Sequence, residues 1–144
     1  MTFRKAKISD IGLIVPMFVS FIETNMKSMI INFDIDVATQ AMINLIHLHL
    51  VVVMEIDGKV FGGIGGLIIT PSTSSEKIFQ ELFFYVHPDH RDKTLLLLKA
   101  TEGICKQHEV KRIVIGSFGE SKALDRWYRM KGYRLLETHF TKEV

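Results

Sequence analysis

Three stretches of this chain carry residue types whose spacing could do chemistry. The first is "HPDHRDKT", His87 to Thr94, where an apolar strand gives way to a leucine-rich helix. The first amides of a helix lack intrahelical partners and its dipole favours an anion; Arg91 and Lys93 add two cations there. Two readings stand level on these residues: a phosphate-bearing ligand held at the junction, or a plain turn in which Asp92 caps the helix and Arg91 is a surface charge. The second stretch is "SKALDRWYRMKGY", a helix with Trp127 toward the core and Tyr128 beside it. A phenol beside a parallel strand pair could donate a proton, or it could simply pack. The third is "GGIGG", Gly62 to Gly66. A phosphate cradle needs a strand before it and a helix after it, and here the strand continues, so a bulge or a close approach of another backbone or a ligand is the better account.

Other chemistries find little support. His47, His49, His87 and His90 show no zinc spacing, and no metal is expected. No serine sits in a nucleophile elbow. Cys105 is the one cysteine. It excludes an intrachain disulfide, fits a reducing compartment, and falls in a helical pattern where a small buried thiol is expected.

The elements that must position these residues follow from periodicity. "TFRKAK" alternates as a first strand, and Ser9 or Asp10 can cap a helix carrying Ile11, Ile14, Val15, Phe18 and Ile22. Pro16 inside it predicts a kink or an early break. A second helix is expected from Asp36 through Met42, Ile43 and Ile46. "HLVVVMEI", the turn dipeptide Asp57–Gly58 and "KVFGGIGGLIIT" form a hairpin signal. "IFQELFFYV" is a long apolar strand suited to a central position. A helix from about Asp92 to His108 leads into the strand "KRIVIGSF", a parallel crossover. Ser121 opens the last helix, Gly132 ends it, and "YRLLETHFT" is expected as a final strand.

With 144 residues, 47% apolar and 24% charged, the chain has the length and balance of one globular domain spanning residues 1–144. A net charge of +2 gives no nucleic-acid footprint. The basic residues before Ile11–Ile22 look superficially like a secretion signal, but Asp10 and Pro16 interrupt it and no cleavage site follows. No apolar run reaches the roughly 20 residues needed to cross a bilayer. The expected setting is cytoplasmic, with neither a membrane nor a nucleic acid as partner.

The element order, with "FFYVHPDHR" entering a helix and "ALDRWYRMKGY" near the end, resembles the GNAT superfamily of acyl-CoA-dependent N-acetyltransferases over nearly the whole chain. "YVHPDHRDKT" also looks like small acetyltransferase-like proteins encoded by bacteriophages, which would make the setting a host cytoplasm. The resemblance implies an α/β (α+β) fold: a mixed central sheet of roughly six to seven strands with helices on both faces, in the order β-α-α-β-β-β-α-β-α-β. It implies acetyl-CoA as cosubstrate. The family's pyrophosphate-binding pattern, Arg or Gln, two residues, Gly, one residue, Gly or Ala, falls on Arg91, Thr94 and Leu96. Arg91 matches and the two glycine positions do not. The cofactor-binding residues are then Tyr85, Val86, Arg91, Asp92, Lys93, Thr94, Leu95 and Leu96, with an amide near Tyr85 or Val86 polarising the thioester carbonyl. The second motif is matched by Tyr128, Gly132 and Tyr133, and Tyr128 would protonate the departing thiolate. Glu81, on the fourth strand, stands where the family often takes its base; its alternative is a carboxylate paired with a Lys or Arg. The implied acceptor is an amine on a small molecule, peptide or protein, met around Asn25 to Asp36 and Pro71. Phe33, Asp34 and Asp36 are candidates to receive a cationic amine. The replaced glycines keep open a catalytically silent module that binds a partner protein. Either a monomer or a homodimer fits, the latter through an edge strand at Tyr133 to Thr141.

Overall fold

The apolar-dense segments build one five-stranded sheet in the computed structural model, which describes residues 1–25, 32–117, 121–142 and 144. Its strands are β1 (Thr2–Lys5), β2 (Leu50–Ile56), β3 (Lys59–Ile69), β4 (Lys77–Val86) and β5 (Val110–Val114), adjacent in that order. The first four pair antiparallel and β5 runs parallel to β4. The helices are α1 (Ile11–Asn25), α2 (Ile35–Leu48), α3 (Thr94–Gln107) and α4 (Lys122–Met130).

Strict alternation in β2 splits the core between the two faces of the sheet. Val51 and Val53 meet Ile14, Phe21, Met42 and Leu45 of α1 and α2, while Leu50, Val52 and Met54 meet Leu97, Leu98 and Cys105 of α3. Each large apolar side chain so covered contributes about 1.5–3 kcal/mol relative to exposure, which fixes the strand register, since a slip of one residue would exchange the two faces. Asp57 and Gly58, at φ 49° and 76°, make the tight β2–β3 turn. Two successive positive φ values are what a two-residue hairpin turn of right-handed twist requires, and Asp-Gly tolerates them.

Several boundaries differ from the sequence expectation. The early break at Pro16 does not occur: α1 continues through it, its two halves held to the sheet by buried Ile14 and Val15 on one side and Met17, Phe21 and Ile22 on the other. The cap of α2 is Asp34 and not Asp36, for the Asp34 carboxylate accepts the amides of Asp36 (2.9 Å) and Val37 (3.1 Å). Likewise α3 starts at Thr94, after a 3-10 stretch over Pro88–Lys93 that is broken at His90.

The largest correction is at the C-terminus. The expected strand "YRLLETHFT" is not formed, so among the described residues the sheet has five strands and not six to seven. Leu135, Leu136 and Phe140 are 68%, 59% and 94% exposed. As a strand of period two this segment would turn Tyr133 and Leu135 to one side and Leu136 and Phe140 to the other, so neither face gathers its apolar residues. The edge strand invoked for pairing with a second chain is therefore lacking, and the sheet edges are β1 and β5.

Candidate active site

β4 runs on past the point where its pairing with β5 stops. Their parallel pairing ends at Gln80 opposite Val114. One residue further along β4 the register with β3 shifts: Gly66 faces Glu81 and Gly65 faces Phe83, leaving Leu82 as the extra residue of a bulge. A bulge bends its strand and increases local twist. The glycines opposite make this possible. A Cβ at Gly66 would overlap the Gln80 carbonyl, and one at Gly65 would overlap the Phe83 ring. The "GGIGG" cluster thus admits the β4 backbone at Gly66 and the Phe83 ring at Gly65.

Glu81 stands just past the end of that pairing, half-buried. Its Oε2 accepts the Gly116 amide at 3.0 Å, bridging β4 to the segment just past β5. Among the described residues Glu81 makes no ion pair with a Lys or Arg, the alternative reading for it. Burial pushes its pKa up to about 7, with the Gly116 hydrogen bond holding it back in part. Such a group changes protonation near neutrality.

Tyr128 lies within electrostatic reach, on α4. Burial raises the phenol's pKa first and the Glu81 charge raises it further, so the hydroxyl stays protonated. Its ring stands edge-on to Trp127 (5.3 Å) and to Tyr133 (5.7 Å). Trp127, expected in the core, is half-buried against the α3-side cluster.

Backbone donors along β4 divide by alternation. The His87 amide donates to the Phe61 carbonyl (2.8 Å), so Tyr85, two residues earlier, also turns its amide toward β3. Phe84 and Val86 then direct theirs to the side from which β5 has withdrawn. Of the two amides named from the sequence, that of Val86 faces this side and that of Tyr85 faces β3. The Tyr85 side chain instead lines a shallow cavity of about 270 Å³ on the α1 side, with Met17, Phe61 and His87.

The Pro88–Lys93 junction is more tightly wound than a glycine loop. The Thr94 amide and hydroxyl both donate to the Arg91 carbonyl, the hydroxyl at 2.7 Å. Lys93 occupies the cap position of α3 without a side-chain cap bond, and Asp92 pairs with Lys93 at 2.6 Å instead of capping the helix. Arg91 is exposed, with no ion pair among the described residues. Leu95 is half-buried, and Leu96, 43% exposed, does not turn into the core. On the acceptor side, Asp34 is occupied as a cap, and most of Asn25–Phe33 lies outside the described residues. Cys105 is buried and its thiol is pushed up to about 11, by burial first and then by Glu102, which leaves it inert.

Three backbone elements beside Glu81 were not named from the sequence: the Leu82 bulge and the amides of Phe84 and Gly116. No sequence signal marked the bulge: Phe79 and Phe83 share one alternating phase, and Phe84 beside Phe83 is what any strand covered on both faces shows.

A phenol that stays protonated and a carboxylate pushed up to about 7 thus stand where two parallel strands part in an α+β sheet. A search of protein families matches residues 21–133 to the Acetyltransferase (GNAT) family. The chain belongs to that family, and acetyl transfer is its class of chemistry. Among solved structures it is similar to a possible acetyltransferase from Clostridium difficile 630, at 17% identity and a TM-score of 0.79, covering 99% of this chain and 97% of the other. A predicted acetyltransferase from Clostridium acetobutylicum, crystallised with acetyl-CoA, gives 18% identity and a TM-score of 0.72 over 99% and 95%. An aminoglycoside acetyltransferase from an uncultured soil metagenomic sample, in complex with sisomicin, gives 12% identity and a TM-score of 0.72 over 99% and 95%. At these identities the likeness is one of fold. A search of curated proteins returned no match.

Proposed function

We propose that this protein transfers the acetyl group of acetyl-CoA to a primary amine by direct attack, with Glu81 as base and Tyr128 as acid. The observation that carries this reading is the pairing of a carboxylate pushed up to about 7 with a protonated phenol at the strand splay. As the amine nitrogen bonds to the thioester carbon, Glu81 takes the proton released, directly or through water. As the carbon–sulfur bond breaks, Tyr128 gives its proton to the sulfur. No acyl-enzyme forms, consistent with Cys105 being buried far below nucleophilic acidity. The Phe84 and Val86 amides are the donors for the pantetheine arm and the thioester oxygen, fixed dipoles that need no reorganisation.

Arg91 and Lys93 would hold the pyrophosphate, with the amides at the start of the helical run from Arg91 to Leu96 in support. The Thr94 amide is already engaged, so that site relies more on cations than the family's glycine loop does. The same observation favours a second reading, a GNAT-fold module that binds a partner protein without turnover. The expected partners under the first reading are an amine-bearing small molecule, peptide or protein in the cytoplasm. Among the described residues, no helix is long and apolar enough to cross a membrane.

Thermal melting with acetyl-CoA separates the two. A ligand at about 100 times its dissociation constant stabilises by about 2.7 kcal/mol. Binding should be followed by thiol release with an amine panel of spermidine, tyramine, an aminoglycoside and a lysine peptide. A melt unmoved by millimolar acetyl-CoA would favour the silent module.

A further inference from the structure

We propose that the hydrogen bond from Tyr133 to Glu102 is the clasp that docks α4 on α3 and thereby sets the position of the Tyr128 phenol. Tyr133 and Glu102 are then positioning residues for acetyl transfer. The inference rests on the reading of Tyr128 as proton donor.

α4 is weakly anchored by its own residues. None of the nine is buried. Its polar bonds are internal: Ser121 accepts the Leu124 amide, and Arg129 pairs with Asp125 at 2.9 Å. These support the helix without tying it to the sheet. Trp127 packs on the α3-side cluster, a contact without direction.

The directional tie comes just after the helix. Gly132, at φ 87°, reverses the chain, a conformation that glycine adopts without a Cβ penalty. The Tyr128 carbonyl accepts the amides of both Lys131 (2.9 Å) and Tyr133 (3.1 Å). Tyr133 is thus fixed relative to Tyr128 through backbone as well as through the ring contact. From there its hydroxyl reaches α3 and donates to Glu102 Oε1 at 2.8 Å. Burial, and then Glu102 itself, raise the Tyr133 pKa, so the phenol remains a donor throughout the working pH range. Beyond Tyr133 the exposed Leu135, Leu136 and Phe140 offer no second anchor. Position therefore passes from α3 through Glu102 and Tyr133 to Tyr128.

The test compares Tyr133→Phe, Glu102→Ala and Glu102→Gln, the last keeping an acceptor oxygen. Hydrogen exchange of the Lys122–Met130 amides and acrylamide quenching of Trp127, the one tryptophan, read α4 docking without any ligand. In Tyr133→Phe and Glu102→Ala, those amides should exchange about tenfold faster. Using acetyl-CoA and the best acceptor of the amine panel, kcat should fall about tenfold while KM for acetyl-CoA stays within about twofold. Glu102→Gln should restore both. Exchange at the wild-type rate in Tyr133→Phe and Glu102→Ala overturns the clasp, as does a Glu102→Gln variant no better than Glu102→Ala. Faster exchange with unaltered kcat overturns the positioning role. Tyr128→Phe, measured beside them, keeps the two readings apart. Full turnover in that variant would sink the proton-donor role and the catalytic consequence drawn here, while the exchange data still decide whether the clasp holds α4.

Discussion

Two carboxylate sites on one sheet meet opposite electrostatic conditions. At the β1–β2 end, Arg4 forks between Asp10, at 2.7 and 3.0 Å, and Glu55, at 2.6 and 2.9 Å. The Lys7 amide adds a bond to Asp10 at 2.7 Å. Asp10 is buried, yet its carboxyl sits below the usual range because the Arg4 hydrogen bonds outweigh desolvation. At the β4–β5 splay, Glu81 receives one neutral amide and no cation among the described residues, and burial lifts it to about 7. A charged partner fixes protonation and makes scaffold. Withholding that partner, beside a bulge just past the end of the β4–β5 pairing, leaves a group able to exchange a proton near neutrality.

The largest effect should come from removing proton chemistry at Glu81 while keeping its shape. Glu81→Gln retains an oxygen for the Gly116 amide, so fold and acetyl-CoA binding should persist. Turnover should fall by about 10²–10⁴. The sign of the pH dependence is set by the raised pKa: the base works only when ionised, so wild-type kcat/KM should rise as pH passes through about 7 and then level off. The residual activity of Glu81→Gln should lack that rise. Activity within a few-fold of wild type would place the base elsewhere and dissolve the contrast between the two sites.

The contrast also marks what could be read from sequence. Side chains with a chemical signature were legible: Glu81 and Tyr128 stand together at the splay, and the hairpin at Asp57–Gly58 forms as expected. The element order held as far as α4, because alternation and helical spacing report burial directly. Backbone geometry was less legible. The Leu82 bulge, the inward amides of Phe84 and Val86 and the 3-10 winding before Thr94 depend on how two strands meet, which local propensity does not encode. "YRLLETHFT" misled for a related reason. Its β-branched and aromatic residues suit a strand, but their order gives no single buried face, and a strand is stabilised by what it packs against.

A second variant probes the scaffold end. Asp10→Asn keeps the volume but removes the charge opposite Arg4, whose remaining carboxylate is Glu55. Hydrogen bonds to a charged group contribute about 1.5–3 kcal/mol, and the Asp10 side chain is only 10% exposed, so the loss should be about 2 kcal/mol. For a chain of this size that lowers Tm by roughly 4–8 °C. Turnover per folded molecule should not change. A loss below about 0.5 kcal/mol would reduce this network to an ordinary surface pair.

The smallest effect tests both sites at once, through stability against pH. Asp10, with its folded pKa depressed, binds fewer protons folded than unfolded. Its contribution is complete above the unfolded carboxylate range, near pH 4, and fades as pH falls through the folded value. Glu81 has the opposite sign. Folded, it holds a proton up to about 7, whereas unfolded it would release it near 4.5. Between those values the folded state binds more protons, so stability falls as pH rises and is flat above 7. Glu81 is only half-buried, so the decline should be about 1 kcal/mol, less than a full 2.5-unit shift would give. Urea unfolding from pH 4 to 8 should thus show greatest stability near pH 4–5, with a decline toward neutrality that Glu81→Gln removes and Asp10→Asn leaves in place. A decline that survives in Glu81→Gln would mean that burial does not hold the Glu81 proton, and the two carboxylates would differ in position but not in chemistry.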